Sequence, residues 1–178
     1  MSVLASIAAR AAEAGLAFLV AGGHAVIAHG YARNTFDLDL IISQAKAERW
    51  THLLNGMGYS CYHRGPTFMQ FTPADSQTLP LDLMLVSEDT FAKLLADGSS
   101  LPGVGSGSKL VSLKHLFALK CHAIKYGHQG RIVKDADDVI ALVKVNRVDL
   151  EDPEMRALFL KHGTDEFYEK VRRVSGAS

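Results

Sequence analysis

Three aspartates stand where aspartate is out of place. Asp37 and Asp39 lie in Asp-Leu-Asp-Leu-Ile-Ile, and Asp82 lies in Leu-Asp-Leu-Met-Leu-Val. Both stretches otherwise read as buried strands, in which aspartate is a poor β former. Burying an unpaired carboxylate is costly, so three such placements call for cations or a water-filled mouth. Side chains two residues apart on a strand share a face, about 6.5 Å apart. Asp37 and Asp39 are therefore expected to project together, with Asp82 joining them if its strand is a sheet neighbour. Grouped carboxylates suit Mg²⁺ or Mn²⁺, and two such ions can clamp an in-line phosphoryl displacement. Taken singly, each has an alternative: a strand-start cap for Asp37, an edge position for Asp39 and an arginine partner for Asp82.

Fifteen residues before Asp37, Gly22 and Gly23 follow the apolar run Leu16 to Ala21 and precede His24 to His29. The pattern predicts a strand, a tight turn and a short helix stopped by Gly30. Without side chains, such a turn lets backbone N–H groups approach a phosphate. A diglycine alone is usually only a turn; its meaning here comes from the returning strand with its aspartates.

The whole run Phe18-Leu-Val-Ala-Gly-Gly-His-Ala-Val-Ile-Ala-His-Gly-Tyr-Ala-Arg-Asn-Thr-Phe-Asp-Leu-Asp-Leu40 resembles the signature of the DNA polymerase β-like nucleotidyltransferase superfamily. Its spelling is nearest to the minimal bacterial nucleotidyltransferases, including the abortive-infection toxins of type IV toxin–antitoxin systems. The resemblance implies a mixed α/β (α+β) nucleotidyltransferase fold and Mg²⁺-dependent transfer of a nucleoside monophosphate from an NTP to an acceptor. It implies phosphate contacts at Gly22 and Gly23, metal ligands at Asp37 and Asp39, and a third, catalytic carboxylate at Asp82. Arg33 and Thr35 belong to the same signature. Arg33 would steady the triphosphate or the aspartates, its alternative being a loop ion pair. The stretch Lys120 to Leu142 resembles the helical motif of the toxin-like members. There Lys134 would touch phosphate and Asp135 or Asp138 would orient it, while the alternative is a solvated helix start. Position 23 is often serine in the family, and Gly23 lacks that hydroxyl.

Other motifs carry less. His24 and His29 lack the spacing that sets two histidines on one helix face, and no HExxH is present. Gly103 to Lys109 invites comparison with a phosphate-binding loop, but Ser108 stands where its second glycine should be and Leu110 replaces its Ser/Thr. Lys114, Lys120 and Lys125 could line a basic face toward triphosphate or tRNA, although lysine on an amphipathic helix is usually just solvated.

The elements that must hold these residues are legible in outline. Helices are expected at 2–14, 45–57, 88–95, from Lys109 through Ile124, and at 135–145, 151–161 and 165–174. Strands are expected at 37–42, 59–63, 67–72 and 81–86. Ser87 and Asp152 are the expected caps for the helices after them. The Gly/Ser-rich segment 97–108 divides an α/β core, residues 1–108, from a helical part, residues 109–178.

With 178 residues, and 19 basic against 19 acidic side chains, bulk charge points to no partner. Residues 109–147 are nonetheless basic, with 8 Lys/Arg against 3 Asp/Glu. Such a segment can face an acidic site over one phosphorylated substrate. Cys61 and Cys121 form no CxxC pair, against a zinc ribbon or a disulfide scaffold. Arg10 and Glu13 interrupt the apolar start, against an export signal or a membrane span, so a cytoplasmic chain is expected. The acceptor stays open between tRNA, protein and a small molecule such as an antibiotic or sugar. An antitoxin partner, the identity of the NTP and the oligomeric state also stay open. A catalytically weak nucleotide-binding or protein-interaction module of the same fold is the rival reading.

Overall fold

The computed structural model describes residues 2–101, 108–127 and 129–176. It divides into two compact units, residues 1–25 with 34–112, and residues 26–33 with 113–178. The comparison of Gly103 to Lys109 with a phosphate-binding loop falls mostly on residues outside those described.

The first unit is built on a seven-stranded mixed sheet of order β3-β4-β5-β2-β1-β7-β6. Its strands are β1 (Phe18–Val20), β2 (Leu38–Ser43), β3 (Tyr59–Arg64), β4 (Phe68–Pro73), β5 (Leu81–Val86), β6 (Ser99–Ser100) and β7 (Ser108–Leu110). Strand β2 runs antiparallel to β1 and parallel to β5, and β4 returns antiparallel to β5. Helices α1 (Val3–Glu13), α3 (Ala47–Asn55) and α4 (Glu88–Asp97) belong to this unit. Ser2 and Ser87 cap α1 and α4 through their hydroxyls, satisfying N–H groups the first turn leaves open. Trp50 of α3 meets Phe18 of β1 edge-to-face at 5.6 Å, and both rings are buried. Leu38, Leu40, Ile42, Leu81, Leu83, Met69 and Phe71 are likewise out of solvent, so β2, β4 and β5 form the middle of the core. Burying side chains of this size gives about 1.5–3 kcal/mol each.

Helix α2 (Gly22–Ala28) starts at the diglycine itself, two residues before the expected start at His24, and its last turn enters the second unit. The second unit is otherwise helical: α5 (Leu113–Tyr126), α6 (Gln129–Val145), α7 (Pro153–His162) and α8 (Asp165–Ser175). Phe117, Phe159 and Tyr168 form its aromatic centre, and the Tyr168 hydroxyl donates to the Leu150 carbonyl at 2.8 Å. Asp152 and Thr164 cap α7 and α8.

Two expected boundaries move by more than two residues. Residues 108–110 form β7, parallel to β1, rather than the start of the helix expected from Lys109, which begins at Leu113. Helix α6 begins at Gln129, a turn and a half before the expected Asp135. Among the described residues, no helix is long and apolar enough to cross a membrane.

Candidate active site

The parallel pairing of β2 with β5 sets Asp39 directly beside Asp82. Direct partners in a ladder share a face, so the two carboxylates emerge side by side. Leu38, Leu40, Leu81 and Leu83 alternate with them and point into the core. This alternation explains how apolar strands carry aspartates: both carboxyl-bearing residues are only half-buried. Asp37 lies in the bend one residue before β2, not in the strand as expected. The Thr35 hydroxyl donates to Asp37 Oδ1 at 2.9 Å.

Gly22 reaches the same place from β1. Its φ of +54° lies in the left-handed region, and an ideal β-carbon there would stand 1.7 Å from Asp39 Oδ2. Only glycine fits, and the backbone of the turn lies against the carboxylate. The Ala21 N–H donates to the Asp39 carbonyl at 2.9 Å, fixing the turn to the strand. Gly23 is buried behind it.

On the far side of Asp82 stands Gln70 of β4, its register partner. The Gln70 amide Nε2 lies 3.2 Å from each Asp82 oxygen and donates to the carboxylate. Sequence reasoning passed over this residue. The available signal was a single amide in the apolar run Phe68-Met-Gln-Phe71, the same anomaly that singled out the aspartates.

Arg33 and Lys134 lie in the second unit. The Arg33 guanidinium donates to both oxygens of Asp138, at 2.6 Å through Nε and 2.9 Å through Nη2. Lys120 Nζ lies 2.6 Å from Asp135 Oδ1 and 2.6 Å from Asp138 Oδ2. Lys120 and Asp138 are 6% and 1% exposed, so two cations and two anions close a buried network. The cation that Asp135 and Asp138 orient is Lys120, not Lys134, which is exposed on α6. His24 lies within α2, and the His29 carbonyl accepts from Asn146 Nδ2 at 3.0 Å.

Among the described residues, no group of three or more His, Cys, Asp or Glu side chains is gathered to hold a metal ion. The fit of Mg²⁺ or Mn²⁺ therefore rests on the pair Asp39 and Asp82. Their donors are all carboxylate oxygens, as hard cations require, and the backbone of the glycine turn packs against Asp39.

No family model matches the chain, and no curated protein matches it. Solved structures do. A nucleotidyltransferase-like antigenic protein from Paracoccidioides brasiliensis aligns over 99% of this chain and 91% of its own, at 16% identity and a TM-score of 0.60. The antibiotic-resistance factor ANT(2'')-Ia, in complex with adenylyl-2''-tobramycin, aligns over 92% of this chain and 94% of its own, at 14% identity and a TM-score of 0.59. The lincosamide antibiotic adenylyltransferase LnuA, lincomycin-bound, aligns over 79% and 94%, at 15% identity and a TM-score of 0.53. The chain has the nucleotidyltransferase fold.

Proposed function

We propose that the protein is a divalent-metal-dependent nucleotidyltransferase, moving a nucleoside monophosphate from an NTP to an acceptor hydroxyl. One observation carries this reading: Asp39 and Asp82 are paired in register while the backbone of Gly22 lies against Asp39. A fold shared with an adenylyltransferase and a nucleotidyltransferase-like protein supports it.

Asp37, Asp39 and Asp82 would hold Mg²⁺ or Mn²⁺, which when bound neutralises phosphate charge and polarises the reacting oxygens. The Gly22 and Gly23 backbone would take the β- and γ-phosphates of the NTP. Thr35 orients Asp37 through its hydroxyl, and Gln70 orients Asp82. In the transfer, the acceptor oxygen forms a bond to the α-phosphorus as the bond to the bridging oxygen breaks and pyrophosphate leaves. Asp82 receives or orients the hydroxyl proton. Arg33 and Lys134 remain the candidates for further phosphate contacts, although the hold of Asp138 on Arg33 favours a structural part for it.

The acceptor is a hydroxyl on tRNA, on a protein or on a small molecule. The two antibiotic-modifying proteins that share the fold favour the small molecule. A toxin role with a cognate antitoxin rests on the spelling of residues 29–39 and on the run Lys134-Asp-Ala-Asp-Asp138. It predicts growth arrest on expression that Asp39→Asn abolishes.

The test is incubation with Mg²⁺ and each α-labelled NTP, alone and with candidate acceptors. Label transfer with pyrophosphate release is expected, falling to background in Asp39→Asn and on chelation. A wild-type protein that binds no NTP in Mg²⁺, together with an Asp39→Asn variant that behaves identically, overturns the reading. Tight NTP binding without pyrophosphate release would instead favour the binding-module alternative.

A further inference from the structure

The carboxylate face of the sheet does not end at Asp82. Gln70 is its partner on β4, and Phe68, two residues earlier on the same strand, shares that face beside Met84. On β3, His63 is the register partner of Gln70, brought there by an irregularity between Cys61 and His63. The His63 and Phe68 rings stack, with centroids 4.8 Å apart and planes at 20°. Phe68 is 42% exposed, whereas Met69 and Phe71, its neighbours pointing the other way, are fully buried. An aromatic shelf is thus fixed one strand across and two residues along from Asp82, a diagonal of about 7–8 Å in an antiparallel pair.

Its place follows from the chemistry. In-line displacement puts the attacking oxygen and the departing pyrophosphate on opposite sides of the α-phosphate. The glycine turn follows β1, and the strand order β4-β5-β2-β1 sets it on one side of the Asp39 and Asp82 pair. The acceptor must approach from the other side, over β5, β4 and β3, where Gln70, Phe68 and His63 stand.

We infer that the His63 and Phe68 stack is the acceptor subsite, and that it takes an acceptor of nucleoside type: a flat heteroaromatic ring joined by a short arm to the attacking hydroxyl. The ring lies on the exposed part of Phe68 while the hydroxyl reaches Asp82. This inference rests on the transferase reading above, and its test separates the two.

Wild-type protein, Phe68→Ala and Phe68→Tyr are first titrated by calorimetry with the α,β-methylene analogues of the four NTPs in Mg²⁺. One analogue is expected to bind all three proteins equally. If none binds, the transferase reading falls and the subsite with it. With that analogue saturating, 2-aminopurine riboside, whose emission is quenched by stacking, is added as the ring probe. Quenching is expected on wild type and Phe68→Tyr, with about ten-fold weaker binding by Phe68→Ala. An unchanged titration for Phe68→Ala, or no quenching on wild type while the analogue binds, overturns the subsite alone. So does loss of analogue binding in Phe68→Ala only, because the ring would then serve the nucleotide side. Equal protection of the probe site by 2-deoxystreptamine, which has no aromatic ring, would overturn the nucleoside class.

Discussion

Asp39 Oδ2 lies within 1.7 Å of the point where a β-carbon on Gly22 would stand. No rotamer of alanine relieves that overlap, so the turn or the carboxylate must move, and the positive φ of Gly22 adds strain of about 1–3 kcal/mol. Gly22→Ala is expected to lower nucleotide transfer roughly 100-fold, the cost of about an ångström of misplacement at a reacting centre. Steady-state assays with a melting curve check it. A variant that keeps wild-type activity removes Gly22 from the site.

Gln70 holds Asp82 through both oxygens. Gln70→Leu keeps the volume and removes the donor. Transfer is expected to fall about 10- to 100-fold, as when a partner of a metal-site ligand is lost, with NTP affinity little changed. Gln70→Glu places a second carboxyl against Asp82, and like charge raises carboxyl pKa values. Its pH–rate profile should therefore lose activity at higher pH on the acid side than wild type does. Identical profiles would reduce Gln70 to a surface amide.

Asp138 neutralises two cations at once, Arg33 and Lys120, while 1% exposed. Asp138→Ala takes a buried carboxylate from both, leaving Lys120 only its contact with Asp135, and breaking a buried ion pair by removing one partner costs about 3–5 kcal/mol. Chemical denaturation is expected to register that loss in the second unit. Lys120→Met in the same background should deepen it, since Lys120 still neutralises Asp135 at 2.6 Å.

How far these residues could be found without coordinates depends on the distance between partners along the chain. The strands around Asp39 and Asp82 announce themselves as runs that are apolar but for the aspartates, and the Ser87 and Asp152 caps follow from side-chain type at a helix start. Strand β7 does not: three residues paired with β1, ninety positions earlier, carry no period of their own. Leu110 and Leu113 even share helical spacing, which drew the expected helix start back to Lys109. Lys134 drew notice because it adjoins Asp135, but adjacent helical residues do not face each other. The residue that does face Asp135 and Asp138 is Lys120, on the neighbouring helix α5. Gln70 becomes meaningful only once β4 is known to return antiparallel to β5, a pairing that apolar patterning leaves open.

The two thiols should separate cleanly in reactivity. Burial pushes the Cys121 thiol up to about 12, so almost none of it is thiolate at neutral pH. Cys61 is only half-buried, on β3. A thiol reagent at pH 8 is expected to titrate Cys61 in the native protein and Cys121 only after denaturant is added. Fast labelling of both would show that the core around Phe117 and Phe159 opens readily.

His162, at the end of α7, has an imidazole pKa below its ordinary 6.5. Burial is the largest cause, followed by the positive neighbours Lys161, His122, His115 and Lys125. The sign of the consequence is fixed by linkage. In the unfolded chain His162 takes up its proton near 6.5, whereas in the folded chain it resists until lower pH, so the unfolded state binds more protons between those values. The contribution is fully present above 6.5 and is lost as pH falls through the lowered folded value. Denaturant midpoints at pH 7.5 and 5.5 are expected to drop less for His162→Gln than for wild type. If His162→Gln instead follows wild type at both pH values, the cluster of basic side chains around it does not repel the imidazolium.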